Sequence, residues 1–385
     1  MRVVLTRRES LESPDGVSIF MVSLAQALLE LQHEVKIVLG CLESRETYQR
    51  LLAPRLDLPI VALSDKPLKG FASLRAWLRA RRLVNDFCPD LVIHSEAVPI
   101  PFHGTVVQTV HDLQPRSGRL APVWRTIRRV STRCCDHVVA TATELRDELV
   151  TDLGLPASRI MLIPKCIDRT LYNRQPLASR ERAILHAGTL PYKNPAASVR
   201  AFAVLNDQTV RLYITGEVTA PLKQALDALP KHLRACVTLM GEADGQTVRA
   251  LHGRVRIASF PTWYAVPVAS ATVMEAVAAG TPIVGSSSLS RDVLADGLSG
   301  LVVGTRPEDM AAGFRAVLDQ DLLWSGLSDG AGQLIERFDA HRVAKQYLAL
   351  SPVHQPQPAQ LNNFRKNLFW CLVTATNASI GAISA

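Results

Sequence analysis

The sequence predicts an α/β fold of two similar halves, each a parallel sheet buried by helices on both faces. Of the 385 residues 48% are hydrophobic but only 5% aromatic, so aliphatic side chains and alanine must fill the interior. That is the composition of parallel sheets covered on both sides. The chain opens with strand, glycine turn, helix and strand, a βαβ unit, and the same alternation restarts near residue 183. A length of 385 residues fits two or three domains.

In chain order, residues 2–6 form an apolar strand, and the loop Pro14-Asp15-Gly16-Val17-Ser18 leads into an amphipathic helix from Ile19 to Leu31. The second strand lies within His33–Leu39. Pro89–His94 and Thr105–Asp112 are further interior strands; the second ends in His111 and Asp112, where residues at carboxyl ends of parallel strands line a ligand crevice. His94 and His103 have no comparable context and read as structural. Cys135–Ala140 is a strand leading to a helix, with Thr141 or Thr143 as its cap. Arg159–Asp168 closes the first half, and the polar, aperiodic stretch Tyr172–Arg182 reads as the interdomain hinge.

The second half begins with Ala183–Gly188 and a turn holding Lys193 and Asn194, then a helix through Leu205. Strands follow at Val210–Ile214, Val237–Met240 and Val255–Phe260, each ending in polar or small residues. The stretch Thr272–Gly285 is the most informative. Glu275 is the only charge on a helix of alanine, valine and methionine, so its carboxylate faces a ligand or a buried partner. Gly280 permits a left-handed helix end, Pro282 stops the helix, and Ile283-Val284 start the next strand. Just before it, Ser270 and Thr272 are small hydroxyl residues at a helix start, where amides and the macrodipole favour an anion; either serves as a donor or as an N-cap.

Charge and cysteine usage bound the partners. The formal charge of +8 suggests an anionic partner. Two arginine-rich stretches with a tryptophan, 74–83 with Trp77 and 116–133 with Trp124, read either as helices lying on an anionic membrane surface or as solvated helix faces. No nucleic-acid motif accompanies the charge. Seven cysteines without metal-like pairing argue against a disulfide framework and for a reducing cytosol. The first residues read as a strand rather than a signal peptide. Phe338–Leu350 is a last helix, Pro352–Gln360 an extended linker, and the final residues a flexible or weakly interfacial tail, their apolar run being too interrupted for a membrane span.

The Glu275 helix and the turn and strand after it resemble the signature of retaining glycosyltransferases of family 4. Asp15-Gly16 stands where that family has a glycine pair, Gln32-His33-Glu34-Val35 where it has Gly-His-Glu-Val, and Thr109-Val110-His111-Asp112 matches its Thr-Val-His-Asp motif. Pro164–Asp168 is similar to its Pro-Asn-Gly-Val-Asp segment, with Cys166 at the glycine; a left-handed backbone there would strain a cysteine. The turn before Lys193 resembles the family's Gly-Arg-Leu-x-x-x-Lys turn, with Thr189 in place of arginine, and Asp292 replaces a glutamate. Pro267 occupies the position of a second family glutamate, eight residues before Glu275.

The resemblance runs from about residue 2 to 350 and implies the GT-B architecture, two facing Rossmann-like domains with an interdomain cleft. The implied divisions are 1–172 for the acceptor-side domain, 173–335 for the nucleotide-sugar domain, 336–351 for a helix returning to the first domain, and 352–385 for linker and tail. It implies a retaining transfer from a nucleotide diphosphate sugar to a glycan or lipid-linked glycan, in cell-surface polysaccharide or glycolipid synthesis. No metal or other cofactor is expected, and the location is cytoplasmic, peripheral on the inner membrane face. His111 is the implied catalytic residue near the transferred sugar. Gly16, Lys193, Ser270, Thr272 and Glu275 are the implied donor-binding residues: the lysine for the diphosphate, the glutamate for the ribose. Two rivals stand beside this reading. One is a catalytically degenerate scaffold, prompted by Pro267, Thr189 and Cys166. The other is a nucleotide-sugar epimerase of the same architecture. A dinucleotide dehydrogenase is least supported, since no Gly-x-Gly-x-x-Gly follows either opening strand.

Overall fold

A computed structural model of the chain describes residues 1–8, 11, 15–42, 60–66, 70–96, 102–113, 121–263 and 270–351, with 70–74 as backbone alone. The first half holds strands β1 (Arg2–Arg7), β2 (Glu34–Leu39), β3 (Ile60–Ala62), β4 (Leu91–His94), β5 (Thr105–Val110), β6 (His137–Ala140) and β7 (Ile160–Leu162). They form one parallel sheet in the order β3-β2-β1-β4-β5-β6-β7. Its described helices are α1 (Gly16–Glu30), α2 (Gly70–Asp86), α3 (Ala121–Arg133) and α4 (Thr143–Leu153). The second half holds β8 (Glu181–Ala187), β9 (Arg211–Thr215), β10 (Val237–Leu239), β11 (Val255–Phe260), β12 (Ile283–Ser286) and β13 (Gly300–Val303), also all parallel, in the order β10-β9-β8-β11-β12-β13. Its helices are α5 (Pro195–Leu205), α6 (Ala220–Asp227), α7 (Lys231–Arg234), α8 (Gly245–Arg254), α9 (Ala271–Ala278), α10 (Pro307–Asp319) and α11 (Asp321–Ile335), and α12 (Ala340–Leu348) ends the described chain.

The period of two along each strand builds the layers. In the first sheet Val3, Leu5, Ile37, Leu39 and Ile93 face α1 and α12, while Val4, Val38 and Val92 face α2. In the second, Ile184, Leu212, Ile214 and Ile257 pack under α5, α6, α10 and α11, and Ala258, Phe260 and Ile283 pack with α9 and α11. Strand order reverses between β1 and β4 and again between β8 and β11, so each sheet has its crevice at the carboxyl ends of those strands.

Helix α12 lies on the first sheet's core although it follows the second sheet in sequence. Val343, Ala344 and Tyr347 are fully buried there, and the Tyr347 hydroxyl is 2.8 Å from Thr109 Oγ1. Phe20 of α1 packs on the same ring, with centroids 6.2 Å apart. This helix straps the two halves together.

Several local expectations change. Helix α1 starts at Gly16, three residues before Ile19, because the Asp15 carboxylate accepts from the amides of Val17 and Ser18 at 2.8 and 2.9 Å and so caps it. Neither Thr141 nor Thr143 caps α4; its first amide donates instead to Asp292 of the second half, at 2.9 Å. Cys166 is not among the residues with a left-handed backbone, so the expected strain is absent; its thiol is fully buried, 3.6 Å from the Phe20 carbonyl.

The membrane reading of 74–83 loses its aromatic anchor. Trp77 is only 4% exposed and packs against Val4, Val38 and Val92, while Arg75, Arg79 and Arg82 lie on the solvent side of the same helix. In the other stretch Arg116 and Arg119 fall outside the described residues. Trp124 is covered by the Arg8 guanidinium 4.7 Å above its ring, and Arg125 pairs with Asp152 at 3.1 Å. The linker and tail from 352 also lie outside the described residues.

Replacing Tyr347 with alanine removes the largest fully buried side chain of the strap and leaves the Thr109 hydroxyl without that partner. The expected loss is about 3–5 kcal/mol of stability in chemical denaturation.

Candidate active site

The two crevices face each other and share a cavity of about 710 Å³. Its walls come from both halves: Ile19, Ser23 and Gln26 of α1 on one side, and Gly188, Gly216, Arg249, Thr272 and Glu275 on the other.

The turn after β8 sets Lys193. Pro191 opens a short 3-10 turn, Asn194 takes the left-handed conformation at φ 54°, and the chain enters α5. The lysine folds back so that its ammonium donates to the Ala187 carbonyl at 3.0 Å and to Thr272 Oγ1 at 3.4 Å. Gly188, at φ 87°, makes room, since a Cβ there would lie 2.6 Å from the lysine Nζ. Burial lowers this ammonium to about 8, against the opposing pull of Glu275.

Glu275 sits on the cavity side of α9 and is 4% exposed. It accepts from the Tyr172 hydroxyl at 2.9 Å. Burial raises its carboxyl, while Tyr172, Arg249 and Lys193 pull it back toward ionisation. Gly280 closes this helix at φ 64°, as its sequence position suggests.

At the other end of α9, Ser270 occupies the N-cap position but makes no cap bond; its hydroxyl lies 3.1 Å from Thr272 Oγ1. The amides of Ala271 and Thr272 therefore remain without acceptors among the described residues and point to the cleft. Gly16 approaches from the other domain: a Cβ on it would lie 3.6 Å from Ala271 Cβ and 3.5 Å from Lys165 Nζ. A larger residue here would narrow the meeting point of the two helix starts.

His111 directly follows β5 and is 5% exposed. Its ring meets Phe20 edge-on, with centroids 5.0 Å apart, and neither ring nitrogen has a hydrogen-bond partner. Burial holds the imidazole well below its ordinary value, reinforced by the positive charges of Lys165 and Arg7. This environment favours the neutral ring, and both nitrogens are buried without a partner. Arg7 is fixed behind it, pairing with Asp15 at 2.8 Å and donating to Ser18 Oγ at 2.6 Å.

Of the six residues singled out from sequence, Thr272 and Glu275 line the cavity; Lys193 and Ser270 contact Thr272, Gly16 lies against Ala271, and His111 packs on Phe20 under the Lys165 charge. Pro267 lies in 264–269, outside the described residues. Three contributors were missed. Tyr172 was assigned to a hinge, yet it orients Glu275. Arg249 reaches the cavity from α8, whose sequence carries no motif. Lys165, 5% exposed, comes from the segment after β7; a lysine just beyond the carboxyl end of a parallel strand was the available signal.

Comparisons with known proteins bear on the family and the fold. Residues 14–171 match the profile of Glycosyltransferase Family 4, and residues 181–320 match that of Glycosyl transferases group 1. A phosphatidyl-myo-inositol mannosyltransferase of Mycolicibacterium smegmatis is 25% identical over 377 residues, covering 90% of this chain and 92% of that protein. Among solved structures, a sucrose-phosphate synthase of Thermosynechococcus elongatus superposes with a TM-score of 0.73 at 16% identity, covering 91% of this chain and 98% of that one. HepE of Anabaena, in complex with UDP and glucose, gives 0.69 at 14% identity, with 91% and 98% covered. At such identities the structural likeness concerns the fold, and it is the GT-B architecture.

Four buried histidines share a behaviour. Burial lowers His94, His186 and His252 to about 3 and His111 well below its ordinary value. Their imidazole NMR signals are expected to stay flat between about pH 8 and 5, whereas a free imidazole titrates near 6.5.

Proposed function

Because this chain belongs to the family 4, group 1 glycosyltransferases, we propose that it is a retaining transferase taking a sugar from a nucleotide diphosphate sugar. The acceptor in this reading is a glycan or lipid-linked glycan, in cell-surface polysaccharide or glycolipid synthesis. The observation that carries the donor assignment is the open N-terminus of α9, whose Thr272 lines the cavity and accepts from Lys193, with Glu275 one turn further along on the same cavity. A diphosphate fits the amides and the ammonium, and the carboxylate of Glu275 accepts from ribose hydroxyls. HepE holds UDP in its structure, which supports a nucleotide donor. The mannosyltransferase relative is named for a phosphatidylinositol acceptor, which supports a lipid-linked one.

Bond cleavage at the anomeric carbon leaves negative charge on the departing diphosphate. Lys193 and the α9 amides are fixed in advance where that charge develops, so little reorganisation is needed. These groups act without a metal in this reading. His111, neutral and unpartnered, positions a hydroxyl of the sugar or acceptor and takes a proton only transiently, since its burial disfavours the charged ring. A peripheral position at the cytoplasmic membrane face brings the acceptor within reach. No helix among the described residues is long and apolar enough to cross a membrane.

The reading is tested first by thermal shift with UDP, GDP, ADP and dTDP and their sugar conjugates, then by turnover with the conjugate that binds. A ligand at a hundred times its dissociation constant adds about 2.7 kcal/mol. Absence of a shift with every conjugate removes the donor assignment. With a donor in hand, Lys193→Ala is expected to lower kcat about a hundredfold. The affinity for the nucleoside diphosphate is expected to hold below about pH 8 and to fall as the pH rises further. Lys193 is buried with its ammonium lowered to about 8, and a terminal phosphate has already lost its second proton near pH 6. Calorimetry from pH 7 to 9 reads this directly.

A further inference from the structure

Lys165 is nine-tenths buried, yet its ammonium has no hydrogen bond or ion pair among the described residues. A buried cation in a folded chain is ordinarily matched by an acceptor. The groups facing it explain why none is present. Asp15 and Asp112 act on it only at longer range, and Asp15 is already occupied by Arg7 and two α1 amides. His111 and Arg7 are the other titratable neighbours, and neither supplies negative charge.

Its position is more telling than its isolation. The ammonium lies 3.5 Å from the Cβ position of Gly16, and that same point is 3.8 Å from the Ala271 amide nitrogen. It therefore stands where the N-termini of α1 and α9 meet, one from each domain. Both helix starts carry partial positive charge, and the first amides of α9 are uncapped. Lys193 flanks the same helix start from the second domain through Thr272. Lys165 and the starts of α1 and α9 thus meet at one point, Lys193 reaches Thr272 of the same helix, and the unpartnered imidazole of His111 feels the Lys165 charge.

We infer that Lys165 is a second binding cation for the donor diphosphate, contributed by the first domain, so that the anion itself joins the two domains across the cleft. This rests on the reading of the cleft as a nucleotide-sugar site and adds to it a specific contact from the opposite wall. The ammonium, lowered by burial to about 8, is still largely charged at neutral pH. A diphosphate arriving between the helix starts supplies the acceptor that the protein withholds. The donor side then depends on both domains being closed around it.

The experiment is calorimetry at pH 7 with inorganic pyrophosphate, with the nucleoside diphosphate that gives the strongest thermal shift, and with its nucleoside, on the full chain and on Lys165→Met, Lys165→Arg and Lys193→Met. The expected result is a loss of about ten- to a hundredfold in pyrophosphate and diphosphate affinity for Lys165→Met, unchanged nucleoside affinity, and recovery to within a few-fold in Lys165→Arg. The ligand-free melting temperature of Lys165→Met should equal or exceed that of the parent, because an unpaired buried charge has gone. If Lys193→Met loses anion affinity while Lys165→Met and Lys165→Arg both bind like the parent, the role of Lys165 is overturned and the donor site stands. If the parent binds neither pyrophosphate nor any nucleoside diphosphate, the donor reading fails and this inference fails with it.

Discussion

The close approach of two helix starts, Gly16 on one domain and Ala271 on the other, is the constraint from which the cleft follows. Parallel sheets place helix N-termini at the carboxyl ends of their strands, so two such sheets set mouth to mouth concentrate positive partial charge between them. Asp168, Glu242, Asp244 and Glu275 line the wider cavity, but none of them pairs with Lys165. Asp15 is spent on its own helix and on Arg7, and Glu275 stands deeper, held by Tyr172. The architecture thus creates a demand for an anion before any single residue is considered. Lys193, Lys165 and His111 increase that demand.

The far end of α9 is treated differently. Arg180 is 4% exposed and donates to the carbonyls of Ala279 at 2.5 Å, His252 at 3.0 Å and Val255 at 2.9 Å, and to Thr281 Oγ1 at 2.8 Å. It stacks 5.1 Å above the Trp324 ring. The negative ends of α8 and α9 are therefore both answered by one guanidinium, a favourable placement for a cation. With its C-terminus satisfied inside the domain, α9 keeps only its N-terminus unsatisfied.

Much of this was legible in the sequence, for definable reasons. Strand and helix periodicity depend on neighbours in sequence, so the central strands of both sheets could be read, with ends displaced by one to three residues where a cap such as Asp15 decided the boundary, whereas the short edge strands β3, β7 and β13 were not read as strands. Lys193 and Glu275 could be read because each sits on a turn or helix whose flanking glycines and prolines punctuate the chain. Trp77 misled because its arginine neighbours suggested a surface, while the helix turned its ring inward against Val4 and Val38. Tyr172 and Arg249 were not legible, since their roles exist only once α8 and α9 converge, and the one signal for Lys165, its place just beyond the carboxyl end of β7, was passed over. The hinge stretch looked featureless because Arg180 exerts its effect on carbonyls 72 to 99 residues away.

The first turn of α4 has a consequence for motion. Its amide and hydroxyl at Thr143 are held by Asp292, and Glu144 accepts from Ser290 Oγ at 2.9 Å and from the Arg291 amide at 3.2 Å. A helix of one domain is thus capped by residues of the other. Drawing the domains apart strips that cap and lets the turn fray, so local helix order and cleft closure become one coupled equilibrium. Asp292, which also pairs with Arg337 at 3.6 Å and is not among the residues lining the cavity, is the hinge pin of that coupling.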